Sequence, residues 1–219
     1  MSQVAAVIGG GVIGGGWAAR FLLHGWTVNV YDPDPESPRK IGEVLDNARR
    51  SFPAMLDARL PDEGKLVFCE SIAEAVGAAS WIQESVPERL EIKHATLAEI
   101  IASAPADALI GSSTSGFKPS ELQGGLENPA RVMVAHPFNP VYLLPLVELV
   151  PGDAGNQQNT ETAKEILGSV GMKPLVVRKE IDAHIADRFL EAVWREGLWL
   201  IKDGVATTEE IDDAIRYGF

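Results

Sequence analysis

The stretch from Val4 to Asp32 constrains the fold of this chain more than any other. It opens with Val4-Ala5-Ala6-Val7-Ile8, a short, uncharged apolar run. Such a run reads as a parallel strand buried on both faces. Gly9-Gly10-Gly11-Val12-Ile13-Gly14 follows directly, with Gly9, Gly11 and Gly14 in G-x-G-x-x-G spacing. From Gly14 to His24, the residues Trp17, Ala18, Phe21 and Leu22 recur at helical spacing, so a helix starts inside the glycine run. After a break at Gly25, Thr27-Val28-Asn29-Val30-Tyr31 reads as the next strand, closed by Asp32. Strand, glycine turn, helix and strand make the unit from which parallel α/β sheets are built.

Those positions also suit one ligand class. Gly9 permits a tight turn, Gly11 lets backbone approach a pyrophosphate, and Gly14 lets helix and strand pack closely. The helix start offers unbonded N–H groups and the positive end of its dipole to phosphates. A carboxylate at Asp32, about 20 residues on, can accept hydrogen bonds from an adenosine ribose and would repel a 2′-phosphate. The residues therefore point to NAD rather than NADP, held by Gly9, Gly11, Val12, Ile13, Gly14 and Asp32. The competing reading is a glycine-rich turn in some other α/β protein, with Asp32 capping the next segment.

Further along, apolar strand patterns at 66–69, 81–86, 109–112, 131–135, 146–150 and 174–177 alternate with helical patterns at 41–55, 72–79, 90–103, 119–122 and 160–170. Pro87 and Glu88 are expected in the first turn of the 90–103 helix. This alternation predicts a Rossmann-type, doubly wound, mostly parallel sheet over residues 1–180. The pattern then changes. Residues 181–202 read as one long amphipathic helix, and Thr207-Thr208-Glu209-Glu210 as the start of another, with a hydroxyl N-cap and early acids. Residues 181–219 are thus expected to begin an all-helical substrate and dimerisation domain, incomplete at 219.

Composition excludes several functions. The net charge of −12 argues against nucleic acid and anionic membrane surfaces, both of which need basic patches. Cys69 is the only cysteine, so neither an internal disulfide nor a multi-thiolate metal site is expected, and no metal is invoked. Cys69 reads as a small core or strand residue. No apolar run reaches transmembrane length, and the first residues lack a basic signal-peptide region, so a cytoplasmic protein is expected.

In open parallel sheets, ligands sit outside the carboxyl ends of the strands. Among the histidines, His24 reads as a helix end, His94 as an exposed helix residue and His184 as the start of the last long helix. His136 alone follows a buried strand, entering the proline-fixed loop Pro137-Phe138-Asn139-Pro140. Glu148 lies in an apolar strand, where a carboxylate needs a partner. If it accepts from one imidazole nitrogen, the other is set up as a base. The bland alternatives are a hydrogen-bonded loop histidine and a solvent-facing glutamate. Ser115, beside Ser112, Ser113 and Thr114, is a candidate hydroxyl donor, with a turn cap as its alternative. Arg49-Arg50 reads as a solvated face.

Four segments, in this order and spacing, resemble the 3-hydroxyacyl-CoA dehydrogenase family, and within it the branch acting on L-carnitine. They are 9–14, Glu84-Ser85-Val86-Pro87-Glu88-Arg89-Leu90, Ser112-Ser113-Thr114-Ser115-Gly116 and the run 136–148. The resemblance covers essentially the whole chain. It implies hydride transfer from carbon 3 of a 3-hydroxy compound to NAD, and a homodimer in the full-length form. His136 matches the family's base, Glu148 the acid orienting it, and Ser115 the serine bonded to the reacting oxygen. Asn139 matches a residue near nicotinamide and substrate; Glu88 and Lys93 match residues flanking the cofactor. Asp187-Arg188 stands where the family commonly has Asn-Arg, so Asp187 is expected to face a cationic group or to pair with a nearby base. L-carnitine carries a quaternary ammonium, which aromatic faces attract. Phe138 and Tyr142 are the favoured aromatics; Trp194, Trp199 and Tyr217 are further candidates, with Trp194 and Trp199 expected mainly as core. An acyl-CoA or small 3-hydroxy acid, and a non-catalytic dinucleotide-binding protein, remain as alternatives.

Overall fold

The computed structural model describes residues 3–57 and 59–218. Two compact units are present, residues 1–182 and residues 183–219.

In the first unit, β1 (Val4–Ile8) is followed by α1 (Val12–Leu23) and β2 (Thr27–Tyr31). Then come α2 (Ser37–Ser51), β3 (Leu66–Phe68), α3 (Ile72–Val76) and β4 (Trp81–Glu84). The unit continues through α4 (Leu90–Ser103), β5 (Leu109–Ser112), α5 (Pro119–Gln123) and β6 (Val132–Pro137). It ends with β7 (Leu146–Val150), α6 (Gln157–Ser169) and β8 (Lys173–Val176). Among the described residues the strands form one eight-stranded sheet, ordered β3-β2-β1-β4-β5-β6-β7-β8. All neighbours are parallel except β6 and β7, which run antiparallel.

Alternation along each strand feeds two cores, one per face, as a doubly wound sheet requires. Ala5 and Val7 of β1 join Trp17, Phe21, Ile41 and Leu45 on one side. Ala6 and Ile8 join Ile72, Val76, Leu97 and Ile100 on the other. This double burial explains why β1 reads as an unbroken apolar run.

Several boundaries differ from the sequence expectation. Helix α2 starts at Ser37, not 41, because Pro38 suits a first helical turn and the Ser37 N–H reaches the Asp34 carbonyl. It yields to a short 3₁₀ turn at Pro53–Met55, since Pro53 has no N–H to continue the ladder. Pro87 and Glu88 stand before α4 rather than in its first turn; Arg89 is the N-cap residue and stays extended. Strand β6 runs through His136 and Pro137 because pairing with β7 extends it. His94 is half-buried, its Nε2 2.6 Å from the Glu121 carbonyl oxygen, and not exposed as expected.

The second unit holds α7 (Ala186–Lys202) and α8 (Thr208–Gly218). Helix α7 starts later than residue 181 because Ala183 and His184 adopt positive φ, which a right-handed helix does not allow. At the start of α8, the Thr207 hydroxyl accepts from the Glu210 N–H while the Glu210 carboxylate accepts from the Thr207 N–H. This reciprocal pair is the capping box that the sequence suggests. Trp194 and Trp199 are not core residues as expected, being 65% and 49% exposed: Trp194 lines a groove with Val193, Ile201 and Ile211 without being covered there, and Trp199 lies on the opposite side of α7.

Candidate active site

The glycine turn builds one wall of a cavity of about 510 Å³. Gly9, Gly11, Asp32, Ser85, Val86 and Pro87 are among its lining residues, at the carboxyl ends of β1, β2 and β4. Gly9 has φ +99°, and a Cβ there would lie 2.5 Å from the Ser85 carbonyl oxygen. A Cβ on Gly14 would lie 1.8 Å from the Gly9 carbonyl oxygen. Only glycine fits at either place. Gly11 is the N-cap residue of α1 and offers no side-chain cap, so the first helical N–H groups of α1 are left for a ligand. Asp32 is tied in from both sides: its carboxylate accepts from the Gly10 N–H at 2.5 Å and the Asp34 N–H at 2.8 Å. These features fit the pyrophosphate and ribose of a dinucleotide.

The second cluster lies at β6 and β7. His136 and Glu148 are cross-strand partners, with Nδ1 and Oε2 3.0 Å apart. Glu148 is fully buried and His136 is 5% exposed. The Phe138 ring packs edge-on against the imidazole, centroids 4.8 Å apart. Asn139 is exposed, and the peptide to Pro140 is cis. Tyr142 is partly buried and packs on the core. Both carbonyls of Val141 and Leu144 accept from the buried guanidinium of Arg20 on α1, at 3.1 Å and 3.4 Å for Nη2. The loop after His136 is thus fastened to the glycine-turn helix.

Between these clusters lies a buried ionic network. Glu84, fully buried at the end of β4, accepts from Lys93 Nζ at 2.9 Å, from the Val86 N–H at 2.8 Å and from Ser112 Oγ. Lys93 also pairs with Glu88 at 3.2 Å. Glu88 accepts from Thr114 Oγ1 and from the Gly116 N–H at 3.1 Å. Burial pushes the Glu88 carboxyl up, but the Thr114, Lys93 and Gly116 donors together hold it below its ordinary range. The network positions the loop carrying Ser115, whose side chain is exposed.

The structure therefore gathers Gly9, Gly11 and Asp32 around the cavity, and sets Val12, Ile13 and Gly14 on the first turn of α1. Lys93 is almost wholly buried and clamps two carboxylates. Asp187 lies in the first turn of α7 in the second unit, as do Trp194 and Trp199 further along that helix; Tyr217 lies on α8. The sequence reading did not single out Glu84 or Arg20. Glu84 gave the same signal as Glu148, a carboxylate inside an apolar strand. Arg20 gave one too, a cation on the apolar face of a helix.

Known proteins match along this whole frame. Residues 4–181 match the model of the 3-hydroxyacyl-CoA dehydrogenase NAD binding domain, and residues 184–219 that of the 3-hydroxyacyl-CoA dehydrogenase C-terminal domain. An L-carnitine dehydrogenase/betainyl-CoA thioesterase of Ruegeria pomeroyi is 66% identical over 215 residues, covering 98% of this chain and 44% of that protein. An L-carnitine dehydrogenase of Mesorhizobium japonicum is 61% identical, over 98% of this chain and 59% of that protein. The chain therefore spans about half the length of these relatives. Among solved structures, 5-formyl-3-hydroxy-2-methylpyridine 4-carboxylic acid 5-dehydrogenase, an NAD+ dependent dismutase, superposes with a TM-score of 0.91 at 30% identity. That match covers 100% of this chain and 71% of the other.

Proposed function

This chain belongs to the 3-hydroxyacyl-CoA dehydrogenase family, and from that premise we propose that it oxidises the 3-hydroxyl of L-carnitine with NAD. The observation that carries the reading is the buried His136–Glu148 pair with the Phe138 ring against it. Relatives named L-carnitine dehydrogenase, at 61% identity and above, support the substrate.

In the proposed mechanism, Glu148 holds His136 through Nδ1, which fixes the tautomer and aims Nε2 at the substrate hydroxyl. His136 Nε2 takes the hydroxyl proton, and the Glu148 carboxylate stabilises the imidazolium that results. Ser115 Oγ donates a hydrogen bond to the substrate oxygen as it becomes a carbonyl. NAD, when bound, supplies the hydride acceptor. Gly9, Gly11, Val12, Ile13, Gly14 and Asp32 hold it, with Glu88, Lys93 and Asn139 beside it. Phe138 and Tyr142 attract the trimethylammonium group by cation–π contact. We also propose a cytoplasmic location, supported by the single cysteine, and a homodimer, supported by the exposed Phe189, Leu190 and Trp194 of α7.

NADH formation measured with L-carnitine, 3-hydroxybutyryl-CoA and 3-hydroxybutyrate tests the substrate. Turnover with L-carnitine is expected. Turnover only with the CoA ester would replace the reading with an acyl-CoA dehydrogenase, and NADH binding with no turnover of any substrate would leave a cofactor-binding protein.

A further inference from the structure

A chain of hydrogen bonds behind the cofactor cavity has a direction that its end members dictate. Trp81 Nε1 lies 3.1 Å from Gln83 Oε1. An indole N–H can only donate, so the carbonyl end of the Gln83 amide must face Trp81. The amide nitrogen then faces Ser113 Oγ, 2.9 Å away, and the Ala135 carbonyl, 3.4 Å away. Trp17 Nε1 donates to the same Ser113 Oγ at 3.2 Å. A hydroxyl oxygen has two lone pairs and one proton. Both lone pairs of Ser113 are occupied by Gln83 and Trp17. Its proton must therefore go to its third neighbour, Ser85 Oγ, at 2.8 Å.

Ser85 is thereby forced into the opposite role. It accepts from Ser113, and its own proton has no acceptor among the hydrogen bonds of the described residues. Ser85 follows β4 and lines the cavity, with its backbone against Gly9. In the sheet order, β4 lies on the side of β1 away from β2 and Asp32. A dinucleotide whose adenosine ribose meets Asp32 passes Ser85 with its pyrophosphate and second ribose.

We propose that Ser85 Oγ donates a hydrogen bond to an oxygen in the pyrophosphate–ribose half of the dinucleotide beyond AMP, and that Trp81, Gln83, Trp17 and Ser113 fix its direction. The arrangement depends on glycine at 111: a Cβ there would lie 2.6 Å from the Trp81 ring, 2.7 Å from Ala135 Cβ and 3.0 Å from Gln83 Oε1. The proposal rests on NAD as cofactor.

Titrations of wild-type chain, Ser85→Ala, Gln83→Glu and the double variant with NADH, ADP-ribose and AMP test it. Ser85→Ala is expected to weaken NADH and ADP-ribose by roughly three- to tenfold, the worth of one hydrogen bond, and to leave AMP unchanged. Gln83→Glu sets an acceptor against Ser113. Ser113 then donates to residue 83, Ser85 turns its proton inward, and NADH weakens although residue 83 does not line the cavity. The double variant is expected to bind no more weakly than Ser85→Ala. Equal NADH binding by wild-type and Ser85→Ala overturns the proposal, as does a matching loss for AMP or fully additive effects in the double variant. Failure of the wild-type chain to bind NADH would instead sink the cofactor reading itself.

Discussion

His136 on β6 and Glu148 on β7 sit directly opposite each other in antiparallel register, Nδ1 to Oε2 3.0 Å apart. The antiparallel pairing of β6 with β7 creates this relationship. A parallel neighbour of β6 would need a crossover helix, whereas a short connection turns the chain back and brings residue 148 to the carboxyl end of β6. Both side chains belong to the sheet face of Val134 and Val150, so the carboxylate is dry and its attraction for the imidazole is little screened.

Replacing Glu148 by Gln keeps the shape and removes the charge. Turnover is expected to fall about a hundredfold or more, the range for disturbing a general base, while NADH affinity stays near wild type. Steady-state rates beside a fluorescence titration check both parts. A collapse of NADH binding would make Glu148 a structural residue.

Gly14→Ala drives a methyl into the Gly9 carbonyl, 1.8 Å from the Cβ position. Backbone cannot yield cheaply there, so a stability loss of about 1–3 kcal/mol is expected, with loss of NADH binding as the turn opens. Gly42→Ala is the control, since nothing lies within 4 Å of its Cβ position. Urea unfolding and NADH titration of the two variants make the comparison.

Asp32→Ser removes the proposed repulsion of a 2′-phosphate and one anchor of the glycine turn. The preference for NAD over NADP is expected to narrow by about tenfold or more, one lost charge–charge term, with NAD bound more weakly. Affinities for NADH and NADPH measured in parallel give the ratio. An unchanged ratio would assign Asp32 only to the turn.

Glu88 gives a pH prediction. Its folded pKa is held below its ordinary 4.5, so the unfolded chain takes up this proton first as pH falls. The stability it contributes is complete above about 4.5 and is lost as pH drops through the lower folded value. Thr114→Val removes one of the donors that hold it down and is expected to flatten the stability profile between those values. Urea midpoints from neutral pH down to the acid range read it. Parallel profiles for the two proteins would refute it.

Most of the sheet was legible because β1, β2, β5 and β7 are short, mostly apolar runs between turn residues, and their bounds agree with the strands observed. Boundaries slipped where tertiary pairing decides them. β6 extends through His136 only because β7 is there to bond it. His136 and Glu148 could be paired in advance, the one following a buried strand into a proline-fixed loop and the other a carboxylate inside an apolar strand. The hydrogen-bond chain ending at Ser85 could not, because its order depends on which serine and which amide the strands bring together.

Arg20 supplies the last test. Its guanidinium is buried on α1, with its centre 4.6 Å from the Phe52 ring centroid. Burial lowers its pKa to about 10, still far above neutrality, so the charge stays. Its hydrogen bonds go to the Val141 and Leu144 carbonyls, in the loop that follows Phe138 and Asn139. Arg20→Met keeps most of the volume but leaves two carbonyls without this donor, at about 1–3 kcal/mol. If the guanidinium positions the loop, KM for the 3-hydroxy substrate rises and kcat falls while NADH affinity holds, because the cavity lining does not include Arg20. Kinetics below the variant's unfolding temperature separate this from plain destabilisation. Wild-type kcat and KM alongside a lowered Tm would leave Arg20 a role in stability alone.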